Sequence, residues 1–165
     1  MIRWTMATVA ALGLGVCGWL FGQGARRPDP PAPKDQAASW GKAELASVNQ
    51  ELAATKEVTH RFFGEKGYNM EVRRLVGPQP ILQHGKKSDF MVIQEGEGTF
   101  MTGGELVNGK AGGEDAGDMR GDSIRNGVSR VLKPGDVMYV PAGVPHGFVE
   151  TRDHVTFVML RFDTK

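Results

Sequence analysis

Gly135-Asp136-Val137-Met138-Tyr139-Val140-Pro141-Ala142-Gly143-Val144-Pro145-His146 is the stretch on which the reading of this chain turns. Val137 to Val140 is a short β-prone run bounded by proline and glycine, as a strand between turns is. Pro141 ends it, and Ala142-Gly143 followed by Pro145 predicts a tight turn that throws His146 back across a sheet. A histidine delivered on a strand by so constrained a turn is held in place, which is what a ligand or catalytic group needs.

Working outward, the period of the apolar residues from Val58 onward is two. The expected strands are Thr59–Phe63, Tyr68–Val76, Ile81–Gln83, Phe90–Gln94, Gly98–Met101, Val128–Leu132, Val137–Val140, His146–Val149 and Val155–Phe162. They are rich in Val, Phe, Ile, Met and Tyr and are separated by Gly-Tyr, Gly-Pro, Gly-Glu-Gly and Pro-Gly turns. Short strands at this spacing predict an all-β sandwich or closed barrel, and no strand–helix alternation favours a parallel sheet. One interruption is long: Asn108 to Ser123, NGKAGGEDAGDMRGDS, has no apolar period. It is expected to be a flexible acidic loop, either functional or simply mobile, that could cover the barrel mouth.

Upstream, Ser39 to Thr55 reads as an amphipathic helix with Leu45, Val48 and Leu52 on one face and Ser39 as the expected N-cap. Arg26 to Gln36, RRPDPPAPKDQ, is a proline-rich linker expected to be extended and solvated. Trp4 to Phe21 is apolar and follows Arg3, the pattern of a secretory signal. Gly22-Gln23-Gly24 is a poor cleavage site, and a run of about eighteen apolar residues can just span a bilayer, so an uncleaved anchor stays open. The expected organisation is a signal peptide or anchor over 1–25, a linker over 26–38, the helix over 39–57 and the β domain over 58–165. Export follows, to the periplasm or outside the cell, with membrane attachment only through residues 4–21.

Composition removes other classes. The 20 Lys+Arg nearly cancel the 19 Asp+Glu, and no long basic run exists, which argues against a nucleic-acid partner. Cys17 is the single cysteine and lies in the N-terminal apolar segment, so the β domain offers no thiolate ligand, nucleophile or disulfide.

Four histidines are present, and two stand beside turns that could aim them at one point. His84 and Asp89 flank the entry to the strand FMVIQ, and His146 follows the turn quoted above. Two imidazoles and a carboxylate with open positions suit a divalent Fe, Mn or Zn ion. At these residues the chain resembles the cupin superfamily. Gly135, Pro141, Gly143 and His146 are similar to its second motif, glycine-x5-proline-x-glycine-x2-histidine. His84, Asp89 and Gly96 resemble the second histidine, the acid and the closing glycine of its first motif. Leu82 stands where that motif has its first histidine, and Glu150 where the second often ends in asparagine. Thr102-Gly103-Gly104 adds to the likeness to small single-domain members. The resemblance covers roughly Val58 to Phe162. It implies a jelly-roll β-barrel, a mononuclear metal held by His84, Asp89 and His146, a small-molecule ligand or substrate, and a possible homodimer.

Two functional classes remain open on the sequence. One is a metal-dependent enzyme of dioxygenase or isomerase type, with Glu71, Tyr139 and Glu150 as candidate acids or bases. The other is a non-catalytic ligand-binding or structural barrel without a metal. Glu71, Arg73 and Arg74 share one strand, and either parity could face inward; an inward arginine would anchor a carboxylate or phosphate. Met91 and Ile93 share the parity of Asp89, so an apolar lining beside the site is expected. His60 reads as a strand-edge histidine and His154 as a solvated hairpin tip. Arg120-Gly121-Asp122-Ser123 matches the adhesion tetrapeptide, as four residues readily do by chance. Glu114, Asp115 and Asp118 lack the spacing of a helix-loop-helix calcium site.

Overall fold

The alternation that begins at Thr59 becomes, among the described residues, eleven antiparallel strands. A computed structural model describes residues 28–164; the apolar segment 4–21, Cys17 and the Arg26-Arg27 pair lie outside them. The strands are β1 (Thr59–Glu65), β2 (Tyr68–Leu75), β3 (Ile81–Gln83), β4 (Lys87–Thr102), β5 (Glu105–Val107), β6 (Lys110–Ala111), β7 (Met119–Gly121), β8 (Ser123–Arg125), β9 (Val128–Leu132), β10 (Val137–Val140) and β11 (His146–Asp163). Helix α1 (Lys42–Thr55) precedes them. No helix among the described residues is long and apolar enough to cross a membrane.

Two long strands organise everything else. β4 and β11 pair along almost their whole length, from Asp163 opposite Lys87 to His146 opposite Thr102. Their near halves join β1, β2 and β10 in one sheet, in the order β1-β2-β11-β4-β10. Their far halves join β9, β3, β7 and β6 in a second. The result is a jelly roll whose two sheets share these strands, with the sheet edges left open.

The stretch Glu95 to Gly98, expected as a turn, instead continues β4. Gly96 takes φ +72°, and a Cβ there would collide with the carbonyl oxygen of His154. The register shifts opposite, between Thr151 and Val155, so both strands bend as a pair. His154 is therefore not at a solvated tip. It sits in this corner with its side chain only 13% exposed, and its Nδ1 lies 3.0 Å from Asp153 Oδ2.

Inward residues of the two sheets form the core, with Leu75, Met91, Ile93, Phe157 and Met159 facing Phe100 and Phe148. Outward Val72 packs instead under Val48 and Leu52 of α1. The helix starts later than expected. Trp40 stacks on Phe62 at 4.5 Å between ring centroids, which holds the chain extended, and Gly41 rather than Ser39 caps the helix. The Gly41 N–H donates to Glu44 Oε2 at 2.6 Å.

Two further expectations change. The proline-rich segment is extended but docked: the Gly64 N–H donates to the Pro30 carbonyl at 2.9 Å, and Arg61 donates to Asp29 Oδ2 at 2.6 Å. Only glycine allows this approach, because a Cβ on residue 64 would lie 2.5 Å from Asp29 Oδ2. The segment 108–123 contains β6, β7 and the start of β8, and Asp118 within it is buried. Its acid turns inward to a partner, which an unstructured acidic loop would not do.

Candidate metal centre

Inside the first sheet the cross-strand register lays the inward side chains in rows. Asn69, Arg161 and Asp89 form one row, Arg61, Glu71, Met159 and Met91 the next, and Thr59, Arg73, Phe157 and Ile93 the third. The first row is polar throughout, and beyond it β4 and β11 turn apolar while β1 and β2 stay polar as far as Thr59 and Arg73. At the first row His84, which follows β3, and His146, which opens β11, come across from the second sheet toward Asp89.

His84, Asp89 and His146 are all buried, and one ligand atom from each lies within 4.8 Å of the others. His146 Nδ1 lies 2.9 Å from the Val144 carbonyl oxygen, which can only accept, so Nδ1 carries a proton and Nε2 is the ring atom turned to the site. His84 Nδ1 likewise lies 3.1 Å from Asp118 Oδ2. The two Nε2 atoms face the same oxygen, Asp89 Oδ2, at 3.7 Å from His84 and 3.4 Å from His146. Burial, and next the Arg161 charge, push the His84 imidazole toward its neutral form. Burial opposes the charge on Asp89, but the His146 and Arg161 contacts outweigh it and hold the carboxyl well below its usual range.

Two imidazole Nε2 atoms and a carboxylate oxygen facing one another form a donor set that a cation would satisfy. His84 Nε2 is buried and has no hydrogen-bond partner, the sign of a donor atom waiting for one. The outer atoms are arranged as in histidine metal sites, with each Nδ1 held by an oxygen acceptor that fixes ring and tautomer. Asp89 is backed by Arg161, whose Nε and Nη2 donate to Oδ1 and Oδ2 at 2.7 and 3.0 Å. That bidentate pair would still leave a lone pair on Oδ2 with which Asp89 could hold a metal. The donor chemistry fits a divalent first-row ion.

Leu82, the cross-strand partner of His146, lines the same cavity with an apolar side chain. The cavity holds about 170 Å³ and is lined by apolar Leu75, Phe100, Phe148 and Phe157 together with charged Glu71, Arg61 and Arg73. Of the candidate acids and bases, Glu71 lies in it. Its Oε2 accepts from Arg61 Nε and Nη2 at 3.0 and 2.7 Å and from Asn69 at 3.3 Å. Tyr139 is 52% exposed on the outer face, with its hydroxyl donating to Ser88 Oγ at 3.3 Å, and Glu150 is exposed as well. Neither lines the cavity. His60 is at a strand edge, 3.8 Å from Glu51.

Sequence reasoning missed Asp118 and Arg161. Arg161 had a visible signal: Val155, Phe157 and Met159 alternate along β11, and Arg161 continues their inward parity as a charge. Asp118 had none, since its partner His84 is 34 residues away and the segment between them lacks a period.

The sequence matches no protein-family model and no curated protein. Among solved structures, a Bacillus halodurans protein superposes with a TM-score of 0.54 at 9% identity, covering 83% of this chain and 87% of its own. A conserved Klebsiella pneumoniae protein with a double-stranded β-helix domain aligns at 0.47, with 14% identity over 78% of this chain and 91% of that one. The fold shared with these structures is a jelly roll. The DMSP lyase DddQ of Ruegeria pomeroyi aligns at 0.49, with 14% identity over 82% of this chain and 76% of that one. At such identities the likeness concerns the fold. The His–Asp–His group inside this barrel fits a metal site on the geometry alone.

Proposed function

We propose that this chain is a cupin that holds one divalent Fe, Mn or Zn ion on His84, Asp89 and His146, and binds or acts on a small polar organic molecule in the adjoining cavity. The observation that carries the reading is the convergence of three buried acceptors, one of them the partnerless His84 Nε2. A bound divalent ion supplies Lewis acidity toward an oxygen of the ligand. The chain's own residues hold the ion, exclude bulk water with Phe100 and Phe148, and limit ligand size. A volume of about 170 Å³ is below the ~300–1,000 Å³ of drug-sized sites, so the ligand is small. Export through residues 4–21, to the periplasm or beyond, and pairing of two copies belong to the same proposal.

A non-catalytic binding role is the second reading, favoured by one observation. Of the three candidate acids and bases only Glu71 lines the cavity, and Arg61 and Asn69 already claim its Oε2.

The test uses the full chain. Elemental analysis is expected to find one first-row metal per chain, lost in His84→Ala and in His146→Ala while circular dichroism shows both variants folded. A wild-type protein that carries no metal and takes up none from Fe, Mn or Zn solutions refutes the site. Metal retained in both variants refutes the ligand assignment.

A further inference from the structure

Three guanidinium groups face the cavity from the first sheet, and they are not equivalent. Arg161 is engaged at both oxygens of Asp89. Arg61 spans Glu71 and Asp29. Arg73 differs: its Nε is buried and has no hydrogen-bond partner. The nearest carboxylate oxygen, Glu71 Oε1, is 3.8 Å away, beyond hydrogen-bonding reach. A buried charged donor without an acceptor is destabilising, and such a group in a cavity wall is an acceptor site for whatever enters.

We propose that Arg73 is the anchor for a singly charged carboxylate, so that the cavity selects small monocarboxylic acids with an apolar body. This rests on the reading of the cavity as the binding site and names its ligand class. The planar guanidinium fork matches a carboxylate bidentately, which a lysine could not do. The row that carries Arg73 continues on one side into Phe157 and Ile93, and Leu75 follows on the same inward parity, so carbon lies beside the anchor there, with Thr59 as its partner on β1. Phosphate fits less well. Glu71 stands 3.8 Å from Arg73, and Glu114 lines the same cavity, 3.6 Å from Arg61 and 4.0 Å from Arg161; both repel a dianion more than a monoanion. Glu114 is thereby a brake on anion binding, set on the segment that follows β6.

The test is calorimetric titration of the full chain with isobutyrate, with its neutral isostere isobutyramide and with inorganic phosphate. Each is run on metal-free protein and on zinc-loaded protein. Isobutyrate is expected to bind roughly tenfold or more tightly than isobutyramide, the range of a charged hydrogen-bonded contact. Arg73→Met should bring isobutyrate to the level of the amide, with the wild-type metal content unchanged. Arg73→Lys should fall between, and decides the matter if the methionine variant does not fold. Glu114→Gln should strengthen isobutyrate binding. Equal binding of acid and amide, unchanged binding in the Arg73 variants, or a preference for phosphate overturns the anchor. If the wild type takes up no zinc, the metal reading falls by itself, and the metal-free arm still decides the role of Arg73.

Discussion

Two buried polar clusters lie on opposite faces of the same pair of strands. Arg74 and Thr156 are register partners on the outward face, and Arg73 and Phe157 are register partners one residue away on the inward face. Outside, both ends of Asn49 are used. Its Oδ1 accepts from Arg74 Nη1 at 3.0 Å and Thr156 Oγ1 at 2.7 Å, and its Nδ2 donates to Glu95. Inside, Arg73 Nε and His84 Nε2 are buried beside a cavity with nothing to bond. The outer cluster is complete within the chain and fastens a helix. The inner one is complete only with something added. Polar burial by itself therefore says little about function, and unmet valence facing a void says much.

The comparison breaks most visibly at Arg161. This residue and Asp89 are 4% and 2% exposed, a bidentate pair with no solvent to replace either partner. Arg161→Met leaves the Asp89 carboxylate buried without its bidentate partner, and removal of one member of a buried pair is destabilising by ~3–5 kcal/mol. Urea unfolding of the metal-free variant should show a loss of that order. Added zinc should restore a larger share of stability than it adds to wild type, because the ion supplies the missing positive charge. A variant with wild-type stability would mean that the Asp89 charge is balanced by some group other than Arg161.

The outer cluster should answer differently. Asn49→Ala strips Arg74 and Thr156 of their shared acceptor, and leaving such donors unmet is destabilising by ~1–3 kcal/mol. Urea unfolding reads this as a lower midpoint with an unchanged slope. Metal content and ligand affinity should stay at wild-type values, since the cluster lies on the far face of the sheet. Loss of metal in this variant would erase the distinction between the two clusters.

How much of this was legible follows the range of the interactions involved. The fold was readable because its determinants are local: the turn from Pro141 to His146 and the alternation along β2, β4 and β11 are short-range patterns. The same locality brought out the His–Asp–His group, since His84 and Asp89 are five residues apart and His146 follows its own turn. The parity of β2, which places Glu71 and Arg73 inside and Arg74 outside, depends on which face the helix covers, and that is a tertiary fact. The corner at Gly96 was misread because a bulged bend and a hairpin turn use the same glycines. The outward placement of Tyr139 was undecided because an exposed aromatic alternates as a buried one does.

Asp118 is where that limit is sharpest, and where the inner cluster can be probed most gently. It reaches His84 Nδ1 at 3.1 Å and also accepts from the Gly85 and Asp115 N–H groups at 3.2 and 3.3 Å. Burial opposes its charge, and the His84 contact and the Gly85 and Asp115 N–H groups outweigh that and keep it ionised. Asp118→Asn retains a carbonyl oxygen for the imidazole N–H, removes the charge behind it and turns the oxygen that accepts from Gly85 into an NH2 group. Loss of such a supporting carboxylate typically weakens metal binding 10–100-fold, and the retained acceptor sets the expectation at about tenfold, or ~1.4 kcal/mol. Competition with a chelator of known zinc affinity measures it, with Asp118→Ala as the variant that also frees the ring and should lose more. If asparagine and alanine weaken zinc equally, charge rather than orientation is what Asp118 gives His84. If neither does, the partnerless Nε2 of His84 is not a metal ligand at all.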